Sequence, residues 1–188
     1  MDFGRLSKVI QPWTSDPIVI TAGISRVSAY GERRVAGTAI FDTLYRACVY
    51  QFGKIDHAAS GNFILLFSDG EDNGSSLSLK EAVDACQRNN TAIYAFRTDS
   101  ENSSGSSGPR TLTELASETG GRVFHYTGSE SGVYDDLRAI EADLRNQYRL
   151  IYRPADLKHN GSFHRIEMKA PERVDDIKIR SGYYAPAP

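Results

Sequence analysis

Residues 61–73 read GNFILLFSDGEDN, and the rest of the chain is organised around them. Phe63, Ile64, Leu65, Leu66 and Phe67 form an unbroken apolar run, too short for an ordinary helix. Such a run fits a strand covered on both faces, as in the parallel sheet of an α/β domain. It stops at Ser68-Asp69-Gly70-Glu71-Asp72-Asn73, which sets three carboxylates within four residues just past the strand's carboxyl end. Open α/β sheets bind ligands at that edge, and acidic oxygens gathered there can hold a hard cation such as Mg²⁺. The same residues also read as a plain polar turn whose Asp-Gly reverses the chain. On sequence alone both readings stand.

The chain has 188 residues, 40% hydrophobic and 24% charged, with a net charge of −2. That is an ordinary globular composition, enough for one domain with a substantial core and a small appendage. Nothing is basic enough to suggest a nucleic-acid footprint. No apolar run approaches the roughly 20 residues needed to span a bilayer, so no membrane span is expected. The first residues, MDFGRLSKVIQ, lack the long apolar core of a secretory signal. Cys48 and Cys86 both fall on expected helices without metal-ligand spacing and read as small buried hydrophobes; they leave the redox compartment open. The four histidines are dispersed and form no zinc pattern.

Upstream of the organising strand, residues 5–14 read as a strand weakened by Pro12. Asp16-Pro17 then opens a helix with Asp as N-cap and Pro at the first position, and Ile20, Ile24 and Val27 recur at helical spacing. Thr38 sits on a loop before an amphipathic helix carrying Phe41, Leu44, Tyr45, Cys48 and Phe52, where N-capping is its expected role. A ligand role for Thr38 requires that this loop lie beside Asp69. Downstream, Ser78 to Glu81 is a capping box opening a helix to about Arg88, and residues 91–98 are a second apolar strand. Residues 100–110 read as a Ser/Gly-rich loop. A second capping box at Thr111 to Glu114 opens a short helix that Gly120-Gly121 ends, and residues 122–127 form a third strand. Residues 132–147 are the clearest helix, with Val133, Leu137, Ile140, Leu144 and Tyr148 as a stripe facing the sheet.

Strand and helix thus alternate through residue 147, the pattern of βαβ units and a parallel sheet. Three strands with little helix between them follow, at 148–153, 163–170 and 174–180, with Asn160-Gly161 as a hairpin signal and Gly182-Tyr183-Tyr184 as an aromatic end. The expected division is an α/β domain over 1–154 and a C-terminal antiparallel β extension over 155–188, packed on the same domain.

Residues 69–74 begin like an EF-hand loop, but the twelfth position is Lys80 where a bidentate Glu is needed. Phosphate-binding Gly-rich loops and a Gly-x-Ser-x-Gly elbow are absent. No nucleophile–base pair is evident, so the expectation is a protein that is not an enzyme. A hydrolase would have to rest on the acidic turn.

With strand, acidic turn and upstream Gly-Thr in place, the chain resembles a von Willebrand factor type A domain. More narrowly, it is similar to the von Willebrand A-related proteins of Acidobacteria. The matching pieces are Gln11-Pro12-Trp13-Thr14-Ser15-Asp16, Gly37-Thr38-Ala39-Ile40-Phe41-Asp42, Phe67-Ser68-Asp69-Gly70-Glu71-Asp72, Gly120-Gly121-Arg122-Val123-Phe124, Gln147-Tyr148-Arg149-Leu150 and Arg180-Ser181-Gly182-Tyr183-Tyr184. They span nearly the whole chain.

The resemblance implies a Rossmann-like sheet, mostly parallel and flanked by helices, with a metal-ion-dependent adhesion site on its carboxyl edge. It implies Thr38 and Asp69 as metal ligands, Mg²⁺ as the ion, and a protein partner whose acidic side chain completes the shell. It also implies a secreted, periplasmic or cell-surface location. The family's first ligand loop, Asp-x-Ser-x-Ser, does not occur in the sequence. The family's first strand, first helix and most of its second strand have no counterpart here, so the site is expected to be incomplete. The expected function is therefore a protein-binding or adhesion module. The alternative is a metal-independent assembly module that oligomerises through an exposed edge of the 63–67 strand.

Overall fold

The computed structural model describes residues 1–30, 37–54, 61–98, 107–125, 129–148, 159–169 and 177–186. Its architecture is mixed α/β: a three-stranded parallel sheet flanked by helices, with a small antiparallel pair near the C-terminus.

The expected strand at 5–14 is instead a minimal hairpin of β1 (Asp2–Phe3) and β2 (Ser7–Lys8). Pro12 has no N–H to donate to a ladder, and residues 9–16 are not strand. Helix α1 (Pro17–Tyr30) starts as read, with the Ile18 amide donating to Asp16 Oδ1 at 2.9 Å. Helix α2 (Ile40–Arg46) follows, widens into a π-helical segment at Ala47–Gln51 and ends in a 3₁₀ turn at Phe52–Lys54. Its N-cap is Ala39 rather than Thr38.

The organising run is β3 (Asn62–Ser68), followed by α3 (Leu79–Arg88), β4 (Thr91–Arg97), α4 (Gly108–Thr119), β5 (Val123–His125) and α5 (Glu130–Arg145). The capping box of α3 forms as expected from Ser78 and Glu81. Helix α4 begins earlier than the anticipated second box: Thr111 lies inside it, its hydroxyl bonded to the Ser107 carbonyl at 3.2 Å. Gly120 closes α4 in the left-handed conformation, where its φ of 83° carries no Cβ penalty.

The sheet order is β3-β4-β5, so among the described residues β3 stands at an edge. Alternation along β3 and β4 builds two cores. Ile64, Leu66, Ile93 and Ala95 pack with α2, α3 and α4, while Tyr94, Phe96 and Phe124 pack with Ile140 of α5. The α5 stripe is only partly core: Ile140 is buried, but Leu137 is 37% exposed and Tyr148, past the helix end, is 92% exposed.

Cys48 and Cys86 are buried, as anticipated, but not as free thiols: they form a disulfide linking the π-helical segment to α3. A spacing of 38 residues gave no sequence signal for this pairing, which depends on two helices lying side by side.

Near the C-terminus β6 (Phe163–Arg165) pairs antiparallel with β7 (Gly182–Tyr184). Of the three strands expected in this region, that at 163–170 is trimmed to Phe163–Arg165, and the strand that pairs with it lies at Gly182–Tyr184, past the expected 174–180 and in the stretch read as an aromatic end. Residues 166–169 and 177–180 are not strand. Residues 149–153 and 174–176 lie outside the described residues, as do the loop at 100–106 and the end of the third strand at 126–127. The pair is held to the domain by Ser181, whose amide donates to the Glu118 carbonyl and whose hydroxyl bonds the Glu118 carboxylate. Arg88 of α3 lies 3.7 Å over the Tyr184 ring.

Candidate functional site

The carboxyl edge of the sheet is built from the acidic turn after β3, and each carboxylate in that turn has a different fate. Helices need acceptors for the first amides of their opening turn. Neither α2, with Ala39 at its N-cap, nor α4, with Ser107, makes a side-chain capping bond of its own. The turn supplies both caps from across the fold.

Asp72 serves α2. Its Oδ2 accepts from the Phe41 amide at 3.0 Å and the Ser75 hydroxyl at 2.6 Å, and its Oδ1 accepts from the amides of Ser75 at 3.0 Å and Gly74 at 3.3 Å. Partial burial pushes this carboxyl up, but the bonds from Ser75, Phe41 and Gly74 outweigh it and hold the pKa below the usual carboxylate value. Asp42, in the first turn of α2, returns the favour: its Oδ1 accepts from the Ser76 and Leu77 amides at 3.0 and 2.9 Å. Glu71 serves α4, accepting from the Gly108 amide at 2.9 Å and the Ser107 hydroxyl at 3.1 Å. The approach of turn to helix is close. Gly70 has φ +84°, and a Cβ there would stand 2.2 Å from the Gly108 carbonyl oxygen.

Asp69 is left over. It is exposed, and one oxygen, Oδ1, accepts from the Glu71 amide at 3.0 Å. The Thr38 loop is pinned to this same turn. The Thr38 amide donates to Asn73 Oδ1 at 2.7 Å, and its carbonyl accepts from the Asn73 and Gly74 amides, both at 3.0 Å. The Thr38 loop thus meets the far end of the turn, at Asn73 and Gly74, and among the described residues no hydrogen bond joins it to Asp69 itself. Among the described residues the Thr38 hydroxyl and the second Asp69 oxygen make no hydrogen bond, whereas all four oxygens of Glu71 and Asp72 are engaged. As donors for Mg²⁺ the pair is right in kind, oxygen only, and short in number, since two protein oxygens leave most of the shell to water. No group of three or more His, Cys, Asp or Glu side chains suited to a metal ion occurs among the described residues.

A second feature lies on the open side of β3. Phe63 and Leu65 face α5 across a groove, Phe67 lies two residues further along the same strand face, and the three remain 39, 37 and 52% exposed. Phe67 is the outer member of an aromatic stack, 4.7 Å from Phe96, which is 5.2 Å from Phe124. Between β3 and α5 runs a shallow groove of about 360 Å³, lined by Phe63, Leu65, Leu137, Ile140 and Leu144, with the Glu141–Arg145 ion pair beside it.

Sequence reasoning singled out Thr38 and Asp69 but missed the capping roles of Asp42, Glu71 and Asp72. A partial signal existed in Asp72-Asn-Gly-Ser75, a polar turn with an acceptor three residues before a hydroxyl.

No protein-family profile matches the chain, and no curated protein matches it. Among solved structures, one described as an uncharacterized membrane spanning protein from Vibrio fischeri is similar over 74% of this chain and 72% of its own, at 21% identity and a TM-score of 0.36. A likeness that distant carries no argument about fold or function. Among the described residues no helix is long and apolar enough to cross a membrane.

Proposed function

We propose that the chain is a non-enzymatic, von Willebrand A-like protein-binding module that acts through protein–protein contact. The observation that carries this reading is the open side of β3. Its five central residues are apolar, with no charge and no proline, the usual devices that blunt an edge strand. No second strand pairs with it there among the described residues, and three large side chains stay partly exposed. Edges of this kind take an added strand, whose backbone supplies the hydrogen bonds and whose alternate side chains fill the adjoining groove. A second copy fits the pattern. Antiparallel pairing about Leu65 sets Phe63 of one copy opposite Phe67 of the other and continues the apolar face across the seam.

Sedimentation velocity over a hundredfold concentration range tests this. The expected result is self-association that Leu65→Lys weakens by about tenfold or more, because a charge placed at the seam costs at least about 1.4 kcal/mol. A wild-type chain that stays monomeric throughout sinks the strand-edge reading.

One further observation favours a second contact point. The two uncommitted oxygen donors, Thr38 Oγ1 and one oxygen of Asp69, belong to loops hydrogen-bonded into one unit. In this reading a divalent cation such as Mg²⁺ rests on them, keeps most of its waters, and accepts an acidic side chain from the partner. Glu71 and Asp72 are not ligands, because the two helix caps occupy them.

A further inference from the structure

We propose that the Cys48–Cys86 disulfide is a resident link that fixes the carboxyl edge, and that the chain therefore does its work in an oxidising compartment. The argument rests on where the bond sits. Helices α2 and α3 run side by side, and two clamps join them. At their amino ends the clamp is polar: Asp72 and Ser75, which precede α3, hold the Phe41 and Asp42 amides, while Asp42 holds the Ser76 and Leu77 amides. At the far ends the clamp is covalent, from Cys48 in the π-helical segment to Cys86 in the last turn of α3.

Both cysteines are 0% exposed and belong to the main core with Leu44, Val83 and Leu112. The bond closes a loop across 38 residues, and that loop contains both the strand β3 and the entire acidic turn. Cross-linking a loop of that length removes a large part of the freedom of the unfolded chain. Without the bond, the polar clamp, the Asn73 and Gly74 bonds to Thr38 and the core packing between the helices would have to hold this edge.

Formation of the bond balances as an exchange. The Cys48 and Cys86 thiols give up two electrons and two protons to the disulfide of an oxidised thiol–disulfide oxidoreductase, which leaves as a dithiol. Such oxidants operate where structural disulfides persist, outside reducing cytosol. Because both sulfurs are buried, a reductant reaches them only through local opening, so native-state reduction is slow.

The test uses the full chain produced in an oxidising compartment. Intact mass is expected to be about 2 Da below that of the dithiol form, with no thiol alkylated in denaturant until reductant is added. Reduction is expected to lower the thermal midpoint by about 5–15 °C and to speed amide exchange at Phe41, Asp42, Ser76 and Leu77. Two thiols that alkylate in denaturant without reductant overturn the proposal. So does a fully reduced chain whose midpoint and exchange match the oxidised one. The Cys48→Ala/Cys86→Ala chain serves as control, since reductant should leave it unchanged; a drop there would assign the effect to something other than this bond. If that variant does not fold, reduction of the wild-type chain decides.

Discussion

Replacing Asp72 by Ala separates a structural carboxylate from a binding one. The side chain accepts four hydrogen bonds, but they are not equally exposed to its loss. The Gly74 amide also donates to the Thr38 carbonyl, and the Ser75 hydroxyl still accepts from the Asp42 amide, so both keep a partner. The Phe41 and Ser75 amides do not. Losing a helix cap costs about 0.5–2 kcal/mol and a second charge-assisted bond about 1–2 kcal/mol, and water reaches this half-buried site, so the expected loss is about 2 kcal/mol. In a chain of this size that is about 4–8 °C in thermal midpoint. Asp69→Ala, which removes one exposed bond, should cost about 0.5 kcal/mol. Urea unfolding at several pH values provides the assay. The sign with pH follows from the depressed Asp72 pKa: its contribution is full above the unfolded value of about 3.9 and is lost as pH falls through the folded value. The gap between wild type and Asp72→Ala should therefore narrow in acid. Equal urea midpoints at neutral pH, or a gap that stays constant down to acid unfolding, would refute the capping assignment.

Two further outcomes follow from the same edge. Mg²⁺ at ten times its dissociation constant should raise stability by about 1.4 kcal/mol, and Thr38→Ala or Asp69→Ala should abolish that rise while Glu71→Gln preserves it; a rise that survives both ligand substitutions removes the proposed site. Gly70→Ala should cost about 3 kcal/mol or more in urea unfolding, because it combines a left-handed φ with a Cβ driven into the Gly108 carbonyl; a cost under about 1 kcal/mol contradicts the close approach of turn and helix.

Much of the sheet was legible because apolar run length and alternation are local signals. Residues 63–67 and 91–97 could be read as strands without knowing their neighbours, and the Ser78–Glu81 box and Gly120 marked helix ends by their own chemistry. The expectation that 63–67 is covered on both faces fails, because Phe63, Leu65 and Phe67 stay 39, 37 and 52% exposed on a strand that is outermost among the described residues, and an apolar run carries no record of its strand's place in the sheet. The other failures have two sources, partners distant in sequence and local patterns read past the true ends of an element. Thr38 looked like the cap of α2 because capping is usually done by the adjacent residue, whereas here the acceptor comes from Asp72, 31 positions away from the amide it holds. Thr111-x-x-Glu114 satisfied a capping pattern inside a helix that Ser107 and Pro109 had already started. The cysteines met across two helices. Tyr148 continued the α5 stripe by period alone, but the helix stops at Arg145 and leaves it in solvent.

Why the turn after β3 is so acidic now has an answer that does not involve a ligand. Two helices arrive at this edge without side-chain caps of their own, and a turn lying between them can supply both. Subtracting Glu71 and Asp72 from the three carboxylates leaves Asp69, so any cation reading rests on that residue and Thr38, whatever the local density of acid suggests. The two proposed contact modes then respond to different variables. Strand addition at β3 depends on backbone pairing and apolar burial, and so should persist in chelator and at high salt. Contact through a hydrated ion on Thr38 and Asp69 should vanish in chelator and should tolerate Leu65→Lys. Partner binding that survives chelator and fails with Leu65→Lys assigns the function to the sheet edge; the reverse pattern assigns it to the carboxyl edge.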